Sequence, residues 1–207
     1  MCFSSEISLA TFIAGIVGSI LCISLGKPVD KIVGYFFMFV SLMQGIEYLL
    51  WNHQIRDDYN RFLSILGMIF NHLQPIVLGL LILYFYKNVS SKIYIILFLY
   101  LCTIIPYSIQ FLNNKNLQYT IKNKHHHLQW NWNVMVYSFI TYLIFLLTLC
   151  LLFYIGFPDE YKYIAIVTAL LSYGSSYFFY YNEGVMGSLW CFYILFITYF
   201  YYLMRVF

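Results

Sequence analysis

Apolar stretches long enough to cross a bilayer follow one another almost without pause along this chain, and that pattern leaves it few folds to choose from. They run over 7–25, 32–51, 62–86, 93–111, 134–157, 163–181 and 187–204. Each holds about 17–25 residues, which at ~1.5 Å per residue covers a hydrocarbon core of roughly 30 Å. Inside hydrocarbon the backbone must satisfy its own hydrogen bonds, so the stretches are expected to be helices. The expected fold is all-α: an integral membrane bundle of about seven transmembrane helices, forming one multi-pass domain over 1–207. Lys27-Pro28 separates the first two spans, and Pro158-Asp159-Glu160 separates the fifth from the sixth. Asn182-Glu183-Gly184 is a thinner separator, where a six-span count with one long bent helix is the alternative.

Charged residues make up only 9% of the chain, too few to clothe a soluble domain. The net charge of +3 is small and scattered, which argues against nucleic acid as a partner. Twenty-two Tyr and 20 Phe stand against only Ala10, Ala14, Ala165 and Ala169, a balance that reflects AT-rich codons first and interfacial aromatics second. Of the five Cys, Cys22, Cys102 and Cys150 lie within spans, where a thiol acts as a small apolar side chain. No disulfide framework is expected. The N-terminus lacks a basic region and a small-residue cleavage site, so the first helix reads as a retained span. No internal repeat of the kind common in transporters is visible.

With seven spans, Arg56, Arg61, Lys115, Lys122 and Lys124 share the N-terminal face. Lys27, Lys31, Lys87, Lys92, Lys162 and Arg205 share the other. Discounting the longest loop, 112–133, the short-loop count favours the N-terminus outside and the C-terminus inside. That loop carries His125, His126 and His127, read as solvated, and Trp130 and Trp132, expected at headgroup level.

Ionisable side chains at membrane depth cost at least ~2.5–3.5 kcal/mol on insertion scales, which makes them candidates for function. Glu47 and His72 are the clearest. Gln44, Glu47 and Trp51 fall on one helical face. His72 lies ten residues into the next span, about 15 Å deep, beside Gln74 and the helix-breaking Pro75. Near the N-terminal face lie Cys2 at the chain start, Asn131 and Asn133 before the fifth span, and Asn182, Glu183, Ser188 and Cys191 around the start of the seventh. Together these suggest a polar cavity open to the N-terminal face, floored near His72 with Glu47 on its wall. The plainer alternatives are a Glu47 that snorkels or meets Arg56, and a neutral His72 bonded within the bundle. Ser172, Ser175 and Ser176 with Gly174 read as small-residue helix packing rather than catalysis.

Three local strings stand together here: Met-Cys-Phe-Ser at the start, Gln44-x-x-Glu47-x-x-x-Trp51, and Gly187-Ser188-Leu189-Trp190-Cys191. In this the chain resembles a family of uncharacterised multi-span membrane proteins that open with MCFS and occur in bacteria and large DNA viruses. In that family a Gly often follows the Glu, where Tyr48 stands here. The resemblance implies a shared site at these strings, Trp190 included, without naming its chemistry.

Several activities are excluded. The seventh span has no Lys for a retinal Schiff base. No span contains a His pair at helical spacing for a diiron or bis-His haem site. Phosphate-binding Gly loops and nucleophile elbows are absent. The favoured expectation is a binding or transport protein for a small polar ligand, a proton or a metal ion. The alternatives are a membrane-embedded, metal-dependent lipid hydrolase, which would recruit His53 or His125–His127 beside His72, and a purely structural membrane protein. Cys2, Cys191, His72 and Glu47 form another conceivable metal set. No cofactor follows from the sequence.

Overall fold

Capping decides where the helices begin. The Ser4 hydroxyl accepts from the Ile7 N–H at 3.3 Å and opens α1, Ser5–Ser24. Pro28 takes the first position of α2, Pro28–Asn52, and the Asp30 carboxylate reaches back to the Lys27 N–H at 3.0 Å. Asp57 caps α3, Asp58–Phe85, by accepting from the Asn60 N–H at 2.9 Å. Both α2 and α3 therefore start before the apolar runs at 32 and 62, because their polar first turns are capped rather than looped. The remaining helices are α4 (Lys92–Leu112), α5 (Ser138–Gly156), α6 (Asp159–Tyr180) and α7 (Met186–Val206). This computed structural model describes residues 4–86, 90–124, 126–180 and 186–207, with the backbone alone at 179–180 and 186–195.

The all-α expectation holds, with seven helices among the described residues. Helices α1 to α5 are each long and apolar enough to cross a membrane. Packing runs α1–α2–α3 in chain order, α3 also touches α4 and α5, and α6 bridges α5 to α7. Helix α7 closes the bundle against α1 and α2. At Gly34 the two first helices approach so closely that a Cβ would sit 2.7 Å from the Ser19 carbonyl oxygen. Pro75 and Pro106 are accommodated inside α3 and α4, which continue past them.

Two contacts fix the faces. Ser5 and Asn52 exchange side-chain hydrogen bonds at 2.9 and 3.2 Å, joining the start of α1 to the end of α2. Asp30 and Arg205 meet at the opposite end, joining the start of α2 to the end of α7. The start of α1 and the end of α7 thus lie on opposite faces of the bundle.

The segment between α4 and α5 is an ordered cap. It contains two 3-10 turns, Lys115–Leu117 and Asn131–Val134, and a two-stranded antiparallel pair, β1 (Ile121–Lys122) with β2 (Leu128–Gln129). The second turn and a left-handed Tyr137, φ 69°, occupy the stretch expected to open the fifth span, so α5 begins at Ser138 instead of 134. Trp130 and Trp132 are 0% and 1% exposed. They fill the groove at Gly67, where a Cβ would lie 2.7 Å from the Trp130 ring.

Candidate functional site

The cap is held down by side chains at the helix ends. Asn60, in the first turn of α3, donates to the Thr120 and His53 carbonyls at 2.9 and 3.0 Å and accepts from the Thr120 N–H at 3.0 Å. Arg61 donates to Gln118 at 2.7 Å, and Gln118 donates to the Leu112 carbonyl at 2.6 Å. The Lys122 N–H reaches Gln54 at 2.7 Å. Beside these, His53 and Asp57 are 2.7 Å apart. The hydrogen bond from the Asn60 N–H, with a smaller contribution from His53, holds the Asp57 carboxyl below its ordinary range. The cap thereby roofs the N-terminal-face ends of α2, α3 and α4.

Under this roof lies a layer of buried polar side chains. Gln44 and Glu47 on α2 are 1% and 0% exposed. Asn71, His72 and Gln74 on α3 are buried too, with His72 halfway along its helix. Pro75 has no N–H to give the Asn71 carbonyl. Next to that gap, the Tyr100 hydroxyl donates to the His72 carbonyl at 2.8 Å. The His72 Nδ1 lies 2.9 Å from the Ser108 hydroxyl on α4. Its ring rests against Tyr107 and Tyr142, with centroids 5.8 and 6.4 Å away. Tyr142 in turn donates to Asn71 Oδ1 at 3.2 Å, and Tyr107 donates to the Trp132 carbonyl. One chain of contacts thus runs from the cap tryptophan through α4 and α5 to His72.

Two ring nitrogens here are open: His72 Nε2 and Trp51 Nε1 are buried and have no hydrogen-bond partner among the described residues. A buried polar group left unmade costs about 1–3 kcal/mol, so such groups call for an explanation. The hydrogen bond of His72 goes to Ser108 on α4, within the bundle, and Arg56 is exposed while Glu47 is wholly buried. Cys2, Asn182 and Glu183 lie outside the described residues, as do the side chains of Ser188, Trp190 and Cys191.

Among the described residues no three His, Cys, Asp or Glu side chains converge as metal ligands would. The hydrolase expectation therefore finds no donor set there, and His125 is not among those residues. Cys22, Cys102 and Cys150 are free thiols. Compared with protein-family models, curated proteins and solved structures, the chain matches none of them.

One polar cluster has no counterpart in the sequence reading. Asp30, 0% exposed, accepts from Arg205 through Nε at 2.8 Å and through a terminal nitrogen at 3.1 Å, and from the Tyr201 hydroxyl at 2.6 Å. Arg205 also donates to the Tyr161 hydroxyl at 3.1 Å. This clasp ties α2, α6 and α7 together on the face opposite the cap. The capping position of Asp30 behind Lys27-Pro28 was the available signal, but nothing local pairs it with a residue 175 positions away.

Proposed function

We propose that this chain is an integral membrane protein whose polar layer beneath the cap binds a small polar ligand, a proton or a metal ion taken up from the N-terminal face. The distribution of side chains supports the membrane setting. Large apolar residues such as Phe98, Leu147 and Leu171 are 64%, 51% and 68% exposed, while Glu47, Gln44 and Gln74 are buried. Soluble monomers rarely present so much apolar surface.

The observation that carries the binding role is His72. Ser108 holds one ring nitrogen, and the other is buried and open among the described residues. An imidazole anchored on one side and free on the other is arranged to take a proton, a ligand atom or a metal at Nε2. Glu47 supplies a carboxyl nearer the face from which a ligand would enter, and Trp51 an indole donor above it. Whether Glu47 and His72 grip one ligand or serve successive positions depends on the ligand's length, since they sit at different depths.

Thermal unfolding of the purified protein tests this reading. It is measured from about pH 5 to 8 and with zinc, copper(I) and a panel of small polar solutes. One condition should shift the wild-type midpoint, and Glu47→Gln and His72→Gln should each lose that shift while staying folded. A wild type that responds to nothing, with both variants severely destabilised, would assign the polar layer to structure alone.

A further inference from the structure

On the other side of the bundle four helices leave a space. Helices α2, α5, α6 and α7 line a cavity of about 500 Å³, well within the range of small-ligand sites. Small residues of α6 create it: Ala165, Ala169, Ser172 and Ser175 lie along one face of the helix. Phe37 and Phe153 form much of the opposing wall. The polar groups on its walls are already engaged. Thr168, Ser172 and Ser175 donate to carbonyls of their own helix at 2.7, 3.1 and 2.9 Å. The Tyr161 and Tyr201 hydroxyls belong to the Asp30–Arg205 clasp. A cavity so lined offers water little and polar ligands less.

Its mouth is on the outer surface. Leu171, Phe196 and Phe200 border the cavity and are 68%, 58% and 58% exposed. On the membrane reading above, which this step rests on, that opening faces hydrocarbon. We propose that one acyl chain of a membrane phospholipid enters between α6 and α7 and fills the cavity. A free fatty acid would need a cation for its carboxylate. Arg205, bonded to the lining Tyr161, and Lys162, next to it in the chain, are already paired with Asp30 and Asp159.

The test is photolabelling of the whole chain in phosphatidylcholine vesicles carrying a small fraction of phosphatidylcholine with a diazirine on one acyl chain, followed by peptide mapping. Phe37 and Phe153 are 6% and 3% exposed, so only a chain inside the cavity reaches them, whereas Phe98, 64% exposed, meets bulk lipid. Adducts are expected at all three. In Ala169→Phe, and independently in Ala165→Phe, those at Phe37 and Phe153 should fall at least tenfold while Phe98 keeps its own. Labelling of Phe98 without Phe37 or Phe153 in the wild type overturns the inference and leaves the membrane reading standing. No labelling at any of the three overturns both. Labelling of the two buried residues by diazirine-bearing free palmitate but not by the phospholipid overturns the choice of occupant.

Discussion

The two ends of the bundle bury polar groups in opposite ways. Opposite the cap, Asp30 is satisfied by both arms of Arg205, by Tyr201 and by the Lys27 N–H, and Arg205 also reaches Tyr161. Beneath the cap, Glu47, Gln44 and Gln74 are just as deeply buried, yet His72 and Trp51 each keep a ring nitrogen open among the described residues. Partner-filled burial is what holds helices together. Burial with open valences costs stability, and is what a site able to accept something else looks like.

The contrast breaks most visibly at the clasp. Asp30→Ala leaves the guanidinium of Arg205 without its counter-ion in a half-apolar setting, and should cost about 3 kcal/mol of unfolding free energy. Replacing both partners, as Asp30→Leu with Arg205→Met, should recover most of that loss, because two apolar groups need no partners. Denaturant titration of both variants decides it; a neutral Asp30→Ala would mean that the clasp holds nothing.

Next in size is the seat of the cap. Gly67→Ala pushes a Cβ to 2.7 Å from the Trp130 ring, and overpacking of this kind costs about 1–3 kcal/mol. Proteolysis within 113–130 should speed up in that variant while the helices stay protected. Smaller again is Tyr142→Phe, which removes the hydrogen bond to Asn71 and should cost about 1 kcal/mol, read from the thermal midpoint.

The smallest effect is one of pH. Because the folded-state value of Asp57 lies below its unfolded one, its stabilising contribution is complete above the unfolded carboxylate range and is lost as pH falls through the folded value. Asp57→Asn keeps a capping oxygen but cannot titrate, so it should flatten the acid limb of the stability curve. An unchanged acid limb would place the titration elsewhere.

Much of this was legible in the sequence, and the rest was not, for physical reasons. Helix identity follows from apolar length, and the burial of Glu47, His72, Gln44 and Gln74 follows from their depth within spans. Boundaries shifted where polar capping residues extended α2 and α3, and where the turn at 131–134 displaced the start of α5. The order within the long loop was invisible because Asn60, Arg61 and Gln54 organise it from other helices. The serines of α6 read as packing, and Ser176 is buried that way, but Ser172 and Ser175 border a cavity. Periodicity reports which face of a helix is apolar; it does not report where two helices fail to meet.

One substitution made twice probes the central contrast most directly: carboxylate to carboxamide at each end, Asp30→Asn and Glu47→Gln, compared by unfolding free energy in the same lipid or detergent. Asp30→Asn should lose about 2 kcal/mol or more, since a carboxamide cannot neutralise Arg205. Glu47→Gln should lie within about 0.5 kcal/mol of wild type, because a polar side chain of the same shape remains. A Glu47→Gln variant as destabilised as Asp30→Asn would contradict the division between a clasp that holds the bundle and a polar layer that serves a ligand.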